Sequence, residues 1–87
     1  MRAAKFRVTG RVHGVGFRNY VASLADSLGL HGEVWNTRDG AVEGVVEGER
    51  LDYCVSLLDK GPGRVDSVES WPREPSGAKE FRIGQTR

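Results

Sequence analysis

Nine residues, Gly10-Arg11-Val12-His13-Gly14-Val15-Gly16-Phe17-Arg18, carry this chain from an alternating strand, through two glycines, into an amphipathic helix. The order confines the fold, because one strand must deliver its carboxyl end directly to a helix N-terminus. Glycines at such a turn let consecutive backbone N–H groups converge, and the resulting concavity binds anions. Arg18 falls in the first helical turn, where a cation opposes the macrodipole and costs roughly a few tenths of a kcal/mol. A negative group seated between Arg18 and those N–H groups removes the conflict. The run therefore reads as a cradle for a phosphate group.

The flanking segments support this reading. From Lys5 to Val12 the alternation is clean, with Phe6, Val8 and Val12 on one side and Gly10 in step. Lys5, Arg7, Thr9 and Arg11 take the other side, as in a strand with one buried and one wet face. Tyr20, Val21, Leu24, Ala25 and Leu28 follow helical spacing, and Gly29 stands at the C-terminal cap position. A second strand is expected from Leu30 to Asn36, with Gly32 and Val34 inward. Asp39-Gly40 is a hairpin turn signal, and a third strand runs from Ala41 to Glu47. Leu51, Cys54, Val55 and Leu58 mark a second helix near residues 49–60, closed by Lys60-Gly61-Pro62. Arg64 to Trp71 reads as a fourth strand, with a bulge where Val65 and Val68 break the two-residue period. Phe81 and Ile83 mark a short fifth strand.

The order β-α-β-β-α-β is that of the α+β ferredoxin-like split βαβ sandwich. Its sheet order is 4-1-3-2, plus the short fifth strand, with two helices on one face. Right-handed crossovers make strands one and two parallel with strand three between them. The glycine loop and Asn36 then end at the same sheet edge, roughly 10 Å apart. At 87 residues the chain is expected to be a single domain over 1–87.

Composition excludes several classes. Thirteen basic and twelve acidic residues leave a net charge of +1, so no bulk attraction to nucleic acid or membrane is expected and any anion site is local. Cys54 is the only cysteine, which rules out an intrachain disulfide framework or a thiolate zinc site. The chain has no run of eighteen apolar residues and no apolar leader before the first strand, and a reducing, cytoplasmic setting is expected. The GxxxxGK[ST] phosphate loop is absent, and Gly14-Val15-Gly16 lacks the third glycine of the dinucleotide fingerprint.

Asn36 interrupts the inward series where another apolar residue would fit. Two readings are open: a turn asparagine leading into Thr37-Arg38-Asp39-Gly40, or a functional group sharing an edge with the cradle. His13 is either an exposed bystander or, when protonated, an added cation beside the phosphate. Cys54 reads as a core thiol, and His31 as a surface strand residue. Glu33, Glu43 and Glu47 read as the solvated sheet face. Trp35 and Trp71 fit either an exposed aromatic patch or core and edge packing.

Together, Gly10 to Arg18 and Val34-Trp35-Asn36-Thr37-Arg38-Asp39-Gly40-Ala41-Val42-Glu43 resemble the double signature of the acylphosphatases. The resemblance extends over nearly the whole chain, including Leu57 to Val68 and Phe81-Arg82-Ile83. It implies a ferredoxin-like enzyme that hydrolyses carboxyl–phosphate anhydrides without metal or cofactor. By the same resemblance Arg18 matches the phosphate-binding arginine, and Asn36 the asparagine that positions the attacking water. The substrate-binding loop is His13, Gly14, Val15, Gly16, Phe17 and Arg18, acting mainly through its backbone. One departure is His13, where the family usually carries glutamine. The implied partners are a small acyl phosphate, with inorganic phosphate as product and inhibitor, and a monomer is expected.

The residue chemistry agrees. Phosphoryl transfer asks a protein mainly for positioning and charge neutralisation, and Arg18 offers a bidentate fork for phosphate oxygens. Neither motif holds a candidate covalent nucleophile or an obvious general acid. An acyl phosphate needs no acid, because its leaving carboxylate has a pKa near ~4 and departs unprotonated. Three other readings fit less well. An RNA-recognition domain shares the element order but stacks bases on aromatics, whereas strand three offers Ala41, Glu43 and Val45. A metal chaperone of this topology needs a CxxC loop. An idle anion-binding regulator on the same scaffold has no need to retain both Arg18 and Asn36.

Overall fold

The alternating N-terminal segment forms strand β1 (Ala3–Arg11), and Phe6 and Val8 on its inner face are fully buried. The computed structural model describes residues 1–87. Helix α1 (Phe17–Ser27) follows, then β2 (His31–Asn36), β3 (Val42–Glu47) and a short α2 (Leu51–Ser56). A 3₁₀ turn (Leu58–Lys60), β4 (Arg64–Arg73) and β5 (Phe81–Ile83) complete the chain. The sheet order is β4-β1-β3-β2-β5, the expected 4-1-3-2 with the fifth strand added in parallel beside β2. All other neighbours are antiparallel. Both helices cover one face.

The core lies between that face and the helices. Phe6, Val8, Val34, Val42 and Val46 from the sheet meet Phe17, Val21 and Ala25 of α1, with Leu51, Cys54 and Leu58 beyond. Each large side chain removed from water in this way stabilises the fold by about 1.5–3 kcal/mol. The pairing of β1 with β4 shifts between Thr9 and Gly10, which face Ser67 and Val65, so Asp66 is the extra residue. This is the bulge behind the broken period of Val65 and Val68.

Several positions depart from the sequence reading or resolve what it left open. The second helix is shorter than residues 49–60: α2 ends at Ser56, and bonds from Leu57 N to Cys54 O and from Lys60 N to Leu57 O tighten the chain into 3₁₀ geometry. Leu58 in this turn is still fully buried, on the same side as Leu51 and Cys54. The tryptophans separate: Trp35 is buried on the open face beneath the Arg87 guanidinium, 3.8 Å from its ring centroid, whereas Trp71 is exposed. His31, on the surface as a strand residue, is half-buried, with Nδ1 2.9 Å from the Ala78 carbonyl.

Glu47 departs as well, since it does not belong to the solvated face with Glu33 and Glu43. It is 2% exposed. The segment after β4 folds back on this end of the sheet and donates to the carboxylate from Ser76 N (2.9 Å), Gly77 N (3.1 Å) and the Ser76 hydroxyl. Burial by itself raises a carboxyl pKa, but the bonds from Ser76 and Gly77 outweigh it and hold Glu47 below its ordinary value. A depressed pKa contributes stability above the unfolded-state pKa, and that stability is lost as pH falls through the folded value. Glu47→Gln turns an amide NH₂ toward these donors and is expected to cost about 1–3 kcal/mol at pH 7. In thermal unfolding the gap to wild type should narrow below about pH 4.5, the ordinary glutamate range; a gap constant from pH 7 to pH 3 would contradict this role.

Candidate active site

Three segments meet at the edge where β1 and β2 end: the loop after β1, the first turn of α1 and the last residue of β2. Gly14 and Gly16 have φ of 70° and 81°, a region that costs other residues roughly 1–2 kcal/mol. No atom lies within 4 Å of where their Cβ atoms would sit, so backbone conformation, not crowding, requires glycine. Along this path the N–H groups of His13 through Asn19 donate no hydrogen bond to any protein group. Helix α1 has no side-chain cap and no acidic residue in its first turn. Its positive end is left open.

A cleft of about 120 Å³ opens onto these groups, lined by Val12, Gly14, Gly16, Phe17, Arg18, Asn19, Asn36 and Ile83. It contains no carboxylate. A larger hollow of about 460 Å³ lies near Arg2, Asp52 and Trp71, but it has none of these converged N–H groups. Arg18 is half-buried and donates from one guanidinium nitrogen to the Gly84 carbonyl at 3.0 Å. Guanidinium carries five N–H donors, so this bond orients the group and leaves the rest of its fork available. Asn36 is half-buried, and its main chain is held on both sides, by pairing with Val42 and by Arg87 N donating to its carbonyl at 2.9 Å. Its side-chain amide has no partner in the protein and faces the cleft.

His13 and Val15 do not line the cleft. Val15 packs against the core. His13 is half-buried, not an exposed bystander, and its Nε2 lies 2.7 Å from the Ala41 carbonyl. A carbonyl only accepts, so Nε2 carries the proton. The turn behind Asn36 is closed by Thr37 N to Ala41 O (2.9 Å) and Ala41 N to Thr37 Oγ1 (3.0 Å). The Thr37 hydroxyl also donates to Asp39. Arg7 bridges Asp39 (2.7 Å) and Glu43 (2.9 Å). The bond from Thr37 first, then that from Arg7, pulls the Asp39 carboxyl down to about 2.

Sequence reading did not find Asn19, Ile83 or the Gly84 carbonyl as parts of this edge. Ile83 gives a signal only once β5 is placed beside β2. A main-chain carbonyl as the partner of Arg18 leaves no trace in residue identity.

The family model for acylphosphatase matches residues 4–83. The chain belongs to the acylphosphatase family. It is 43% identical over 84 residues to the acylphosphatase of Thermococcus kodakarensis, covering 92% of each. Among solved structures, the acylphosphatase of Bacillus subtilis superposes with a TM-score of 0.93 at 35% identity, over 97% of this chain and 99% of that one. That of Coxiella burnetii gives 0.91 at 32% identity, over 95% and 92%. The chain thus has the fold of a hydrolase family across nearly its full length.

Arg18 opposes the α1 dipole but also bonds Gly84, and the two effects offset each other. Arg18→Ala is therefore expected to leave the unfolding temperature within a few degrees of wild type. Calorimetric titration should show inorganic phosphate affinity falling by the equivalent of about 2–5 kcal/mol. Undiminished phosphate binding would mean that Arg18 does not face the anion.

Proposed function

We infer that residues 1–87 form a single acylphosphatase domain that hydrolyses acyl phosphates to a carboxylate and inorganic phosphate. The observation that carries this reading is the cleft itself, where unpaired N–H groups, a guanidinium and an unpaired amide converge without a carboxylate. The N–H groups of the 13–18 loop and Arg18 hold the phosphate dianion. Asn36 holds a water by its side-chain amide, aimed at phosphorus. As the new P–O bond forms, the bond from phosphorus to the acyl oxygen breaks and the carboxylate leaves with the electron pair. The attacking water passes its proton to a phosphate oxygen, because an asparagine amide cannot act as a base. Substrate and site suit each other: an activated leaving group needs no acid, and the cleft offers none.

The reaction as written uses no metal or cofactor, and its product phosphate competes for the same cradle. Cys54 is buried and unpaired, with its thiol pushed up to about 11 by burial, in keeping with a structural role in a reducing compartment. No helix is long and apolar enough to cross a membrane. Our reading is a cytoplasmic monomer.

Release of phosphate from benzoyl phosphate in chelator-containing buffer tests the reaction, and Asn36→Ala tests the division of labour within it. Water is engaged chiefly in the transition state, so kcat should fall by about 10²–10³ with KM and phosphate affinity little changed. A parallel fall in phosphate affinity would make Asn36 a phosphate ligand, and unchanged kcat would remove it from the reaction.

A further inference from the structure

The site has two halves on different parts of the chain. The phosphate half is the loop between β1 and α1, and the water half is Asn36 with the turn behind it. In-line displacement is sensitive to the distance between attacking and accepting atoms, and a misplacement of about 1 Å can cost ~10²-fold. No backbone hydrogen bond joins the loop residues 13–16 to residues 36–41. The one side-chain bond between them is His13 Nε2 to the Ala41 carbonyl, at 2.7 Å. That carbonyl is also the acceptor for Thr37 N at 2.9 Å. Ala41 is buried, and Thr37 directly follows Asn36.

We propose that His13 is a positioning residue, which sets the spacing between bound phosphate and the Asn36-held water by tying the loop to the Ala41 carbonyl. The inference rests on the functional reading given above. The contact makes specific demands. The side chain must donate, because its partner is a carbonyl, and it must reach past the loop backbone to the β2–β3 turn. Glutamine meets both through its amide NH₂, whereas leucine fills a similar volume and donates nothing. His13 itself does not line the cleft, so its removal leaves the loop N–H groups and Arg18 in place for the ground-state phosphate. What is loosened is the registry of loop against water, felt most in the transition state.

Three measurements on full-length protein test this, all well below the unfolding temperature of each variant. In a long-range ¹⁵N–¹H spectrum of wild type at neutral pH, His13 should be the Nε2–H tautomer. His13→Leu should lower kcat for benzoyl phosphate about tenfold, in the range of one net hydrogen bond, with KM and the inhibition constant of phosphate within about twofold. His13→Gln should restore kcat to within about threefold of wild type. An Nδ1–H tautomer, a kcat unaffected by leucine, or equal impairment of the leucine and glutamine variants would overturn the proposal. So would a leucine variant that loses kcat and phosphate affinity together, since that outcome makes His13 a support of the cradle alone. A wild-type protein inactive on benzoyl phosphate would overturn the functional reading itself, whatever the His13 tautomer.

Discussion

Between β1 and α1 a run of backbone N–H groups meets a guanidinium with no carboxylate beside it. Such a concentration of positive potential relaxes unless the scaffold keeps it assembled. Here the scaffold is rigid on every side. Phe17, one residue before Arg18, is 1% exposed and seats the first turn of α1 in the core. Phe6 and Val8 fix β1 from below. The donors cannot fold away to find protein acceptors, because the positive-φ glycines and the open helix terminus leave none in reach. What remains is a set of unpaired donors held in place by the packed sheet and helix beneath it.

Main-chain carbonyls then hold the movable parts. The Arg18 guanidinium is oriented by Gly84 O, just past β5, and His13 by Ala41 O, just before β3. The chain after β5 continues along β2, through Gly84 N to Val34 O and Arg87 N to Asn36 O. The short fifth strand therefore does more than lengthen the sheet. It braces Asn36 from outside and leads into Gly84, whose carbonyl is the partner of Arg18.

Much of this was legible in the residues. The alternation of Phe6 and Val8, the Gly10 to Arg18 turn and the Asp39-Gly40 hairpin signal follow from local rules, so strand order and the shared edge followed as well. Even the bulge at Asp66 showed in the spacing of Val65 and Val68. What escaped was set by contacts distant in sequence. Glu47 has the alternation of a solvated residue and is buried only because the Ser76–Ala78 segment returns to it. Trp35 is covered by Arg87, and nothing local distinguishes it from Trp71. The second helix gives way to a 3₁₀ turn after Ser56 although Leu51, Cys54 and Leu58 keep helical spacing and all three are buried, so the apolar pattern did not mark where it ends.

The N–H groups of the turn from strand to helix can be observed directly. In ¹⁵N-labelled protein titrated with inorganic phosphate, the backbone amides of residues 13–19 and the Arg18 guanidinium should shift with one common dissociation constant. The rest of the sheet should stay unmoved. Shifts absent from residues 13–19, or centred instead on the hollow near Arg2 and Trp71, would show that the turn from strand to helix is not where this protein takes hold of phosphate.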